Sequence, residues 1–162
     1  MVVVLMGVSG SGKTTIGRVL AAELGWAFLE GDDFHPAANV EKMRGGEPLT
    51  DEDRRPWLAA LQDRLEEACE REEDVVVACS ALKDDYRDFL EKHDPACVHF
   101  VHLNGSPELI RRRLEKRAGH YMNPALLPSQ FEALEPPEEE IVVDVSPAPE
   151  VVAGEIRRQL GL

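Results

Sequence analysis

No apolar run in this chain of 162 residues comes near the ~18 residues needed to cross a bilayer as a helix. The N-terminal MVVVLM is too short for the core of a signal peptide and has neither a basic flank nor a small-residue cleavage site. A soluble, cytoplasmic protein with no membrane partner is expected. Cysteine is also scarce. Cys69, Cys79 and Cys97 form no C-x-x-C pair and no even framework, which predicts reduced, mostly buried thiols and argues against structural zinc. Positive charge is in deficit, with 18 Lys and Arg against 31 Asp and Glu and a net charge of −13. That balance argues against nucleic acid as a partner. If the ligands are themselves anions, the cations must be gathered where those anions sit. The chain has no internal repeat, and its length predicts one domain with enough apolar sequence for a real core.

What is present alternates. The segments 2–6 (VVVLM), 27–30 (AFLE), 75–80 (VVVACS), 98–103 (VHFVHL) and 141–146 (IVVDVS) are short and mostly apolar, as buried parallel strands are. Helical spacing fills 13–24, with Gly25 as a C-terminal cap, and helices are also expected over 57–72, 84–93, 106–118 and 149–160. The expected class is α/β, with five parallel strands and helices on both faces. Two polar, Pro- and Gly-rich segments, 31–56 and 119–137, interrupt the alternation. Long insertions of this kind in a compact α/β domain are usually functional. EPPEEE (135–140) reads as a solvated linker.

GVSGSGKT (Gly7–Thr14) matches G-x-x-x-x-G-K-[ST], directly after a strand and directly before a helix. This is a phosphate-binding P-loop. Gly10, Ser11, Gly12, Lys13, Thr14 and Thr15 are expected to bind the nucleotide, with backbone N–H groups and the helix N-terminus facing the phosphates. Lys13 reaches the β- and γ-phosphates of ATP, and the Thr14 hydroxyl is placed to ligate Mg²⁺.

A P-loop leaves the acceptor open. EGDDFHP follows the second strand, and a carboxylate there can take a hydroxyl proton as that hydroxyl attacks phosphorus. Asp32 is the candidate base, and Asp32 and His35 are candidates to bind the substrate. The plainer reading is an Asx-type turn. TDEDRRPW carries Arg54 and Arg55, with Thr50 and Asp53 spaced as a capping box and Pro56 expected to break or kink the helix. Arg55 reads as a solvated surface residue, while Trp57, Leu58, Leu61 and Leu65 share a core face. CSALKDDYR places Lys83 and Arg87 one helical turn apart, suited to a substrate carboxylate or to ordinary pairing with Asp84, Asp85 or Glu91. RRRLEKR (111–117) gathers five of the 18 basic residues. Arg113 and Arg117 can face a nucleotide from it, or can complement a helix C-terminus. The segment after it reads as a flap that excludes water.

Taken together, MGVSGSGKTTIG, FLEGDDFHPAANVEKMRGGEPLTDEDRRPWL, CSALKDDYRDFL, RAGHYM and SQFEALEPP resemble the bacterial-type gluconokinases, in the shikimate-kinase-like branch of P-loop kinases. The resemblance runs from Val4 to about Leu160. It implies transfer of the ATP γ-phosphate to the 6-hydroxyl of D-gluconate, a sheet in the order 2-3-1-4-5 and, commonly, a homodimer. It implies a core (1–30, 73–118, 138–162), a substrate-binding segment (31–72) and a lid (119–137). By motif position Asp32 matches a catalytic base. Arg54, Lys83 and Arg87 match residues expected to hold the sugar acid. Arg117 matches an arginine packed on adenine, and Pro147 in DVSPAPE lies in the adenine-side loop. Relatives often carry a second lid cation where this chain has Asn123 and Pro124, which leaves His120 as a candidate helper. The competing readings are the same chemistry on shikimate, another hydroxy acid or a nucleoside monophosphate, and a nucleotide-binding switch or ATPase.

Overall fold

The computed structural model describes residues 1–117, 124–138 and 140–162. Strand β1 (Val2–Met6) is wholly buried and sits at the centre of a five-stranded sheet. β2 (Ala27–Glu30), β3 (Val75–Ala78), β4 (Val98–Asn104) and β5 (Ile141–Asp144) complete it in the order β2-β3-β1-β4-β5. All four pairings are parallel, and Val2 lies opposite both Val75 and Val98.

Alternation along β1 explains the two layers. Val3 and Leu5 point to the face covered by α1 (Lys13–Leu24) and α7 (Pro149–Leu160), against Ile16, Leu20 and Ile156. Val2, Val4 and Met6 point to the other face, under α3 (Asp51–Glu70) and α4 (Asp84–Glu91), against Trp57, Leu61, Leu65 and Leu90. The helices α2 (Ala37–Arg44), α5 (Pro107–Glu115) and α6 (Leu127–Ala133) complete the chain. Among the described residues no helix is long and apolar enough to cross a membrane.

Several local expectations differ from the structure. β3 and β5 stop at Ala78 and Asp144, two residues short of the expected bounds, although the Cys79 and Val145 N–H groups still donate to the Leu5 and Asn104 carbonyls at 3.1 and 3.0 Å. The capping box of Thr50 and Asp53 is formed, but it starts α3 six residues before the expected position. Pro56 does not break that helix. It lies on an exposed face together with Glu52, whose carbonyl loses its intrahelical donor but remains open to water. The cysteines are not all reduced: Cys69 and Cys97 form a disulfide, and Cys79 is the free, buried thiol. Their separation of 28 residues hid the pair, since the end of α3 and the start of β4 meet only through the fold. The acidic segment is not simply solvated either. The Asp84 N–H donates to the Glu135 carboxylate at 2.7 Å, and the Arg87 guanidinium donates to the Glu135 carbonyl at 3.0 Å.

Candidate active site

The loop between β1 and α1 is shaped by glycines. Gly10 (φ 82°) and Gly12 (φ 98°) hold left-handed conformations that cost other residues strain. Gly12 is the N-cap of α1 and offers no side chain to the first-turn N–H groups, which are left to face an anion. The Lys13 ammonium folds along the loop and donates to the carbonyls of Gly7 and Val8, both at 2.9 Å. Burial pulls its pKa below the ordinary lysine value, with the carboxylates of Asp32 and Glu30 opposing that shift. The buried Ser11 hydroxyl finds no hydrogen-bond partner among the described residues. An uncapped helix start, an orphan hydroxyl and a half-buried ammonium together suit a polyphosphate.

β2 delivers the opposing carboxylates. Thr14 Oγ1 donates to Glu30 Oε2 at 2.6 Å. Burial lifts the Glu30 carboxyl, the hydrogen bond from Thr14 opposes this, and the neighbouring Asp32 charge adds to it. Gly31 follows, and a Cβ there would sit 2.5 Å from the Ala78 carbonyl, so only glycine lets β2 end this close to β3. Asp32 and Asp33 then lie in a 3₁₀ turn, Gly31–Phe34, rather than in extended chain. Successive side chains in such a turn diverge by about a third of a revolution. Asp32 lines the cleft, while Asp33 is exposed outside it.

His35 stacks on Trp57, with ring centroids 4.3 Å apart and planes at 14°. The Trp57 indole N–H donates to the Gly31 carbonyl at 2.8 Å, which ties the stack to the residue before Asp32. Trp57 is therefore both a core residue and a wall of the cleft, a role that helical periodicity alone does not show. Burial pushes the His35 imidazole down to about 4 from 6.5. A base whose folded pKa is depressed binds fewer protons than the unfolded chain between those values, so stability falls as pH drops through that window. For His35 alone the loss between pH 7 and pH 5 should be about 2 kcal/mol. Urea unfolding of wild type and His35→Gln at both pH values measures it, with the variant losing less.

The cations divide into two groups. Arg54 lines the cleft, donates to the Leu49 carbonyl at 2.7 Å and to the Tyr86 hydroxyl at 3.3 Å, and lies 4.0 Å from Asp51. Lys83 pairs with the same Asp51 oxygen at 2.9 Å, and the Tyr86 hydroxyl donates to that oxygen too. Asp51 and Tyr86 thus join Arg54 to Lys83, although no motif pointed to either residue. Arg55 is exposed. The expectation that Arg87 shares a ligand-facing surface with Lys83 is corrected. Arg87 is buried, donates to the carbonyls of Ala81 and Glu135 and pairs with Asp84, so it braces the loops around α4.

The two arginines expected to face a nucleotide also part. α5 ends at Glu115. Arg113 is turned to the Val145 carbonyl, while Arg117, past the helix end, lines the cleft. Pro147 is exposed in the loop after β5, two residues beyond Val145. His120 and Asn123 lie outside the described residues. Pro124 opens a 3₁₀ turn, Pro124–Leu126, that leads into α6. Leu126 packs with Met43 and Leu49, and the Ser9 N–H donates to the Gln130 side chain at 2.6 Å, so this part of the insertion roofs the phosphate loop. The cleft is open to solvent at its mouth, and the space between its walls, that solvent included, is about 760 Å³.

Residues 2–136 match the family model described as an AAA domain. The thermosensitive gluconokinase of Escherichia coli (strain K12) is 53% identical over 135 residues, covering 83% of this chain and 72% of that protein. The gluconokinase of Gluconobacter oxydans (strain 621H) is 49% identical over 158 residues, covering 96% and 88%. The crystal structure of a gluconokinase from Sinorhizobium meliloti 1021 superimposes with a TM-score of 0.88 at 44% identity, covering 98% of this chain and 90% of that one. A P-loop facing an aspartate across a cleft, on this sheet order and with likeness of this extent, places the chain in the gluconokinase family of P-loop kinases.

Proposed function

We propose that the cleft phosphorylates D-gluconate: the 6-hydroxyl attacks the γ-phosphorus of ATP, and 6-phospho-D-gluconate and ADP leave. The observation that carries this is the placement of Lys13, Asp32 and Arg54 on the lining of one cleft. Asp32 orients the attacking hydroxyl and takes its proton late, and Lys13 leaves its two carbonyl partners for the charge that develops on the phosphoryl oxygens. Arg54 and Lys83 hold the sugar carboxylate. Arg117 packs on the adenine, with the Pro147 loop beside it, and residues 119–137 act as a lid that keeps water from the phosphoryl group. Thr14 and Glu30 suit Mg²⁺, a hydroxyl and a carboxylate 2.6 Å apart at the phosphate loop. When bound, the ion neutralises phosphate charge. We place the reaction in the cytoplasm and in a homodimer, the latter to be checked by light scattering.

ADP release with and without gluconate tests the proposal. Turnover should depend on gluconate, and the product should be the 6-phosphate. Equal turnover in its absence would favour an ATPase or switch, and a preference for shikimate would move the acceptor. Lys13→Ala should lower kcat by ~10²-fold or more with the fold intact by circular dichroism, because a preorganised cation is removed from the transferring group.

A further inference from the structure

We infer that Asn39 and His35 are positioning residues for Asp32: Asn39 fixes the imidazole tautomer, and the imidazole Nε2–H then orients the Asp32 carboxylate. The inference rests on the gluconate kinase proposal for Asp32 and adds what holds that residue in place.

The chain of contacts starts at a backbone carbonyl. Asn39 is buried, and its Nδ2 lies 2.7 Å from the carbonyl oxygen of Asp53. A carbonyl only accepts, so the amide must present its nitrogen there. The same nitrogen lies 3.3 Å from His35 Nδ1. An amide nitrogen only donates, so a hydrogen bond between the two requires that ring nitrogen to be the bare acceptor. A neutral imidazole with an unprotonated Nδ1 carries its proton on Nε2. Nε2 faces Asp32 Oδ1 at 3.7 Å. At 3.7 Å this is an electrostatic contact longer than a hydrogen bond, and on this inference it shortens when substrate closes the site.

The ring cannot turn away easily. The His35 side chain is 4% exposed and lies flat on Trp57, which is itself pinned to the Gly31 carbonyl. The imidazole stays uncharged at neutral pH because burial holds its pKa at about 4. A neutral donor orients a carboxylate without forming a full ion pair, so the carboxylate keeps its capacity to accept a proton. Asn39 sits in α2, a helix inside a segment that reads from sequence as an irregular insertion, and Asp53 sits in the first turn of α3. The device therefore links the starts of α2 and α3 to the end of β2.

Two measurements test it. Nitrogen-15 NMR of histidine-labelled wild-type protein should show His35 with a bare Nδ1 and a protonated Nε2, and a protonated Nδ1 would overturn the inference. In kinetics, His35→Leu should lower kcat by about 10- to 100-fold, the scale for a reacting group misplaced by roughly an ångström. Its KM for Mg·ATP should hardly move. His35→Gln, whose amide can donate from a similar place, should recover most of the loss. In an Asp32→Asn background, His35→Leu should cost less than about 2-fold, since residues that act as a unit are strongly non-additive. A loss as large there as in wild type would show that His35 acts without Asp32. The tautomer is read on the unmodified chain, so it stands whether or not gluconate proves to be the acceptor.

Discussion

Glucose should be phosphorylated about 10³-fold less efficiently than gluconate in kcat/KM, the scale of losing two charge-assisted contacts of about 2 kcal/mol each. Both sugars carry a 6-hydroxyl, but gluconate is an open-chain acid whose carboxylate Arg54 and Lys83 would hold, whereas glucose is a neutral, closed pyranose. A site whose cations were left bare by the neutral sugar could discriminate more strongly. Here Asp51 moderates the penalty, because it already pairs with Lys83 at 2.9 Å and lies 4.0 Å from Arg54. When glucose binds, the cations keep Asp51. When gluconate binds, its carboxylate competes with Asp51 for them. Steady-state kinetics with both sugars at saturating Mg·ATP reads the ratio, and near-equal efficiencies would refute a carboxylate site. Lys83→Met should raise KM for gluconate well above any change for ATP. An effect confined to ATP would move Lys83 to the nucleotide side.

The second large effect separates two neighbours. Asp32→Asn should lower kcat by ~10²–10⁴-fold with ATP binding nearly intact, the range for loss of a positioned general base. Asp33→Asn should change kcat by only a few-fold. The 3₁₀ turn directs Asp32 into the cleft and leaves Asp33 exposed outside it. The amide in Asp32→Asn retains the size of the side chain and can still touch the sugar hydroxyl, but it cannot take the proton. Phosphoryl transfer demands little proton removal before the transition state, which sets the lower end of the range. Side-by-side assay at saturating gluconate and Mg·ATP decides it. If Asp33→Asn proves the crippled enzyme while Asp32→Asn turns over normally, the catalytic carboxylate is displaced by one residue.

The sheet was legible because its signals are local. Apolar strands alternate with helical spacing, and the P-loop motif names its own strand and helix. Asp32 and Asp33 diverge through a 3₁₀ turn, which the pattern of EGDDFHP does not announce. What stayed hidden depends on pairs distant in sequence. Tyr86 and Asp51 are 35 residues apart, so no spacing rule joins them. Cys69 and Cys97 escaped for the same reason. Arg87 was misjudged because helical spacing puts it near Lys83 without showing that the carbonyls of Ala81 and Glu135 need a buried donor. Pro56 was expected to break or kink the helix, yet α3 continues through it, with Pro56 and Glu52 one turn before it both on an exposed face.

The stack of His35 on Trp57 gives the protein an optical reporter of its own. Trp57 and Trp26 are the two tryptophans, and Trp26 lies just beyond α1, away from the cleft. In a Trp26→Phe variant the remaining indole emission comes from a ring that touches the histidine beside Asp32 and forms part of the cleft wall. The imidazole on that ring does not change charge across ordinary assay pH, because its pKa is held at about 4. A change in emission on adding gluconate or nucleotide therefore reports rearrangement of the wall rather than a titration. Stopped-flow fluorescence of that variant should follow substrate arrival directly, separate from the chemical step.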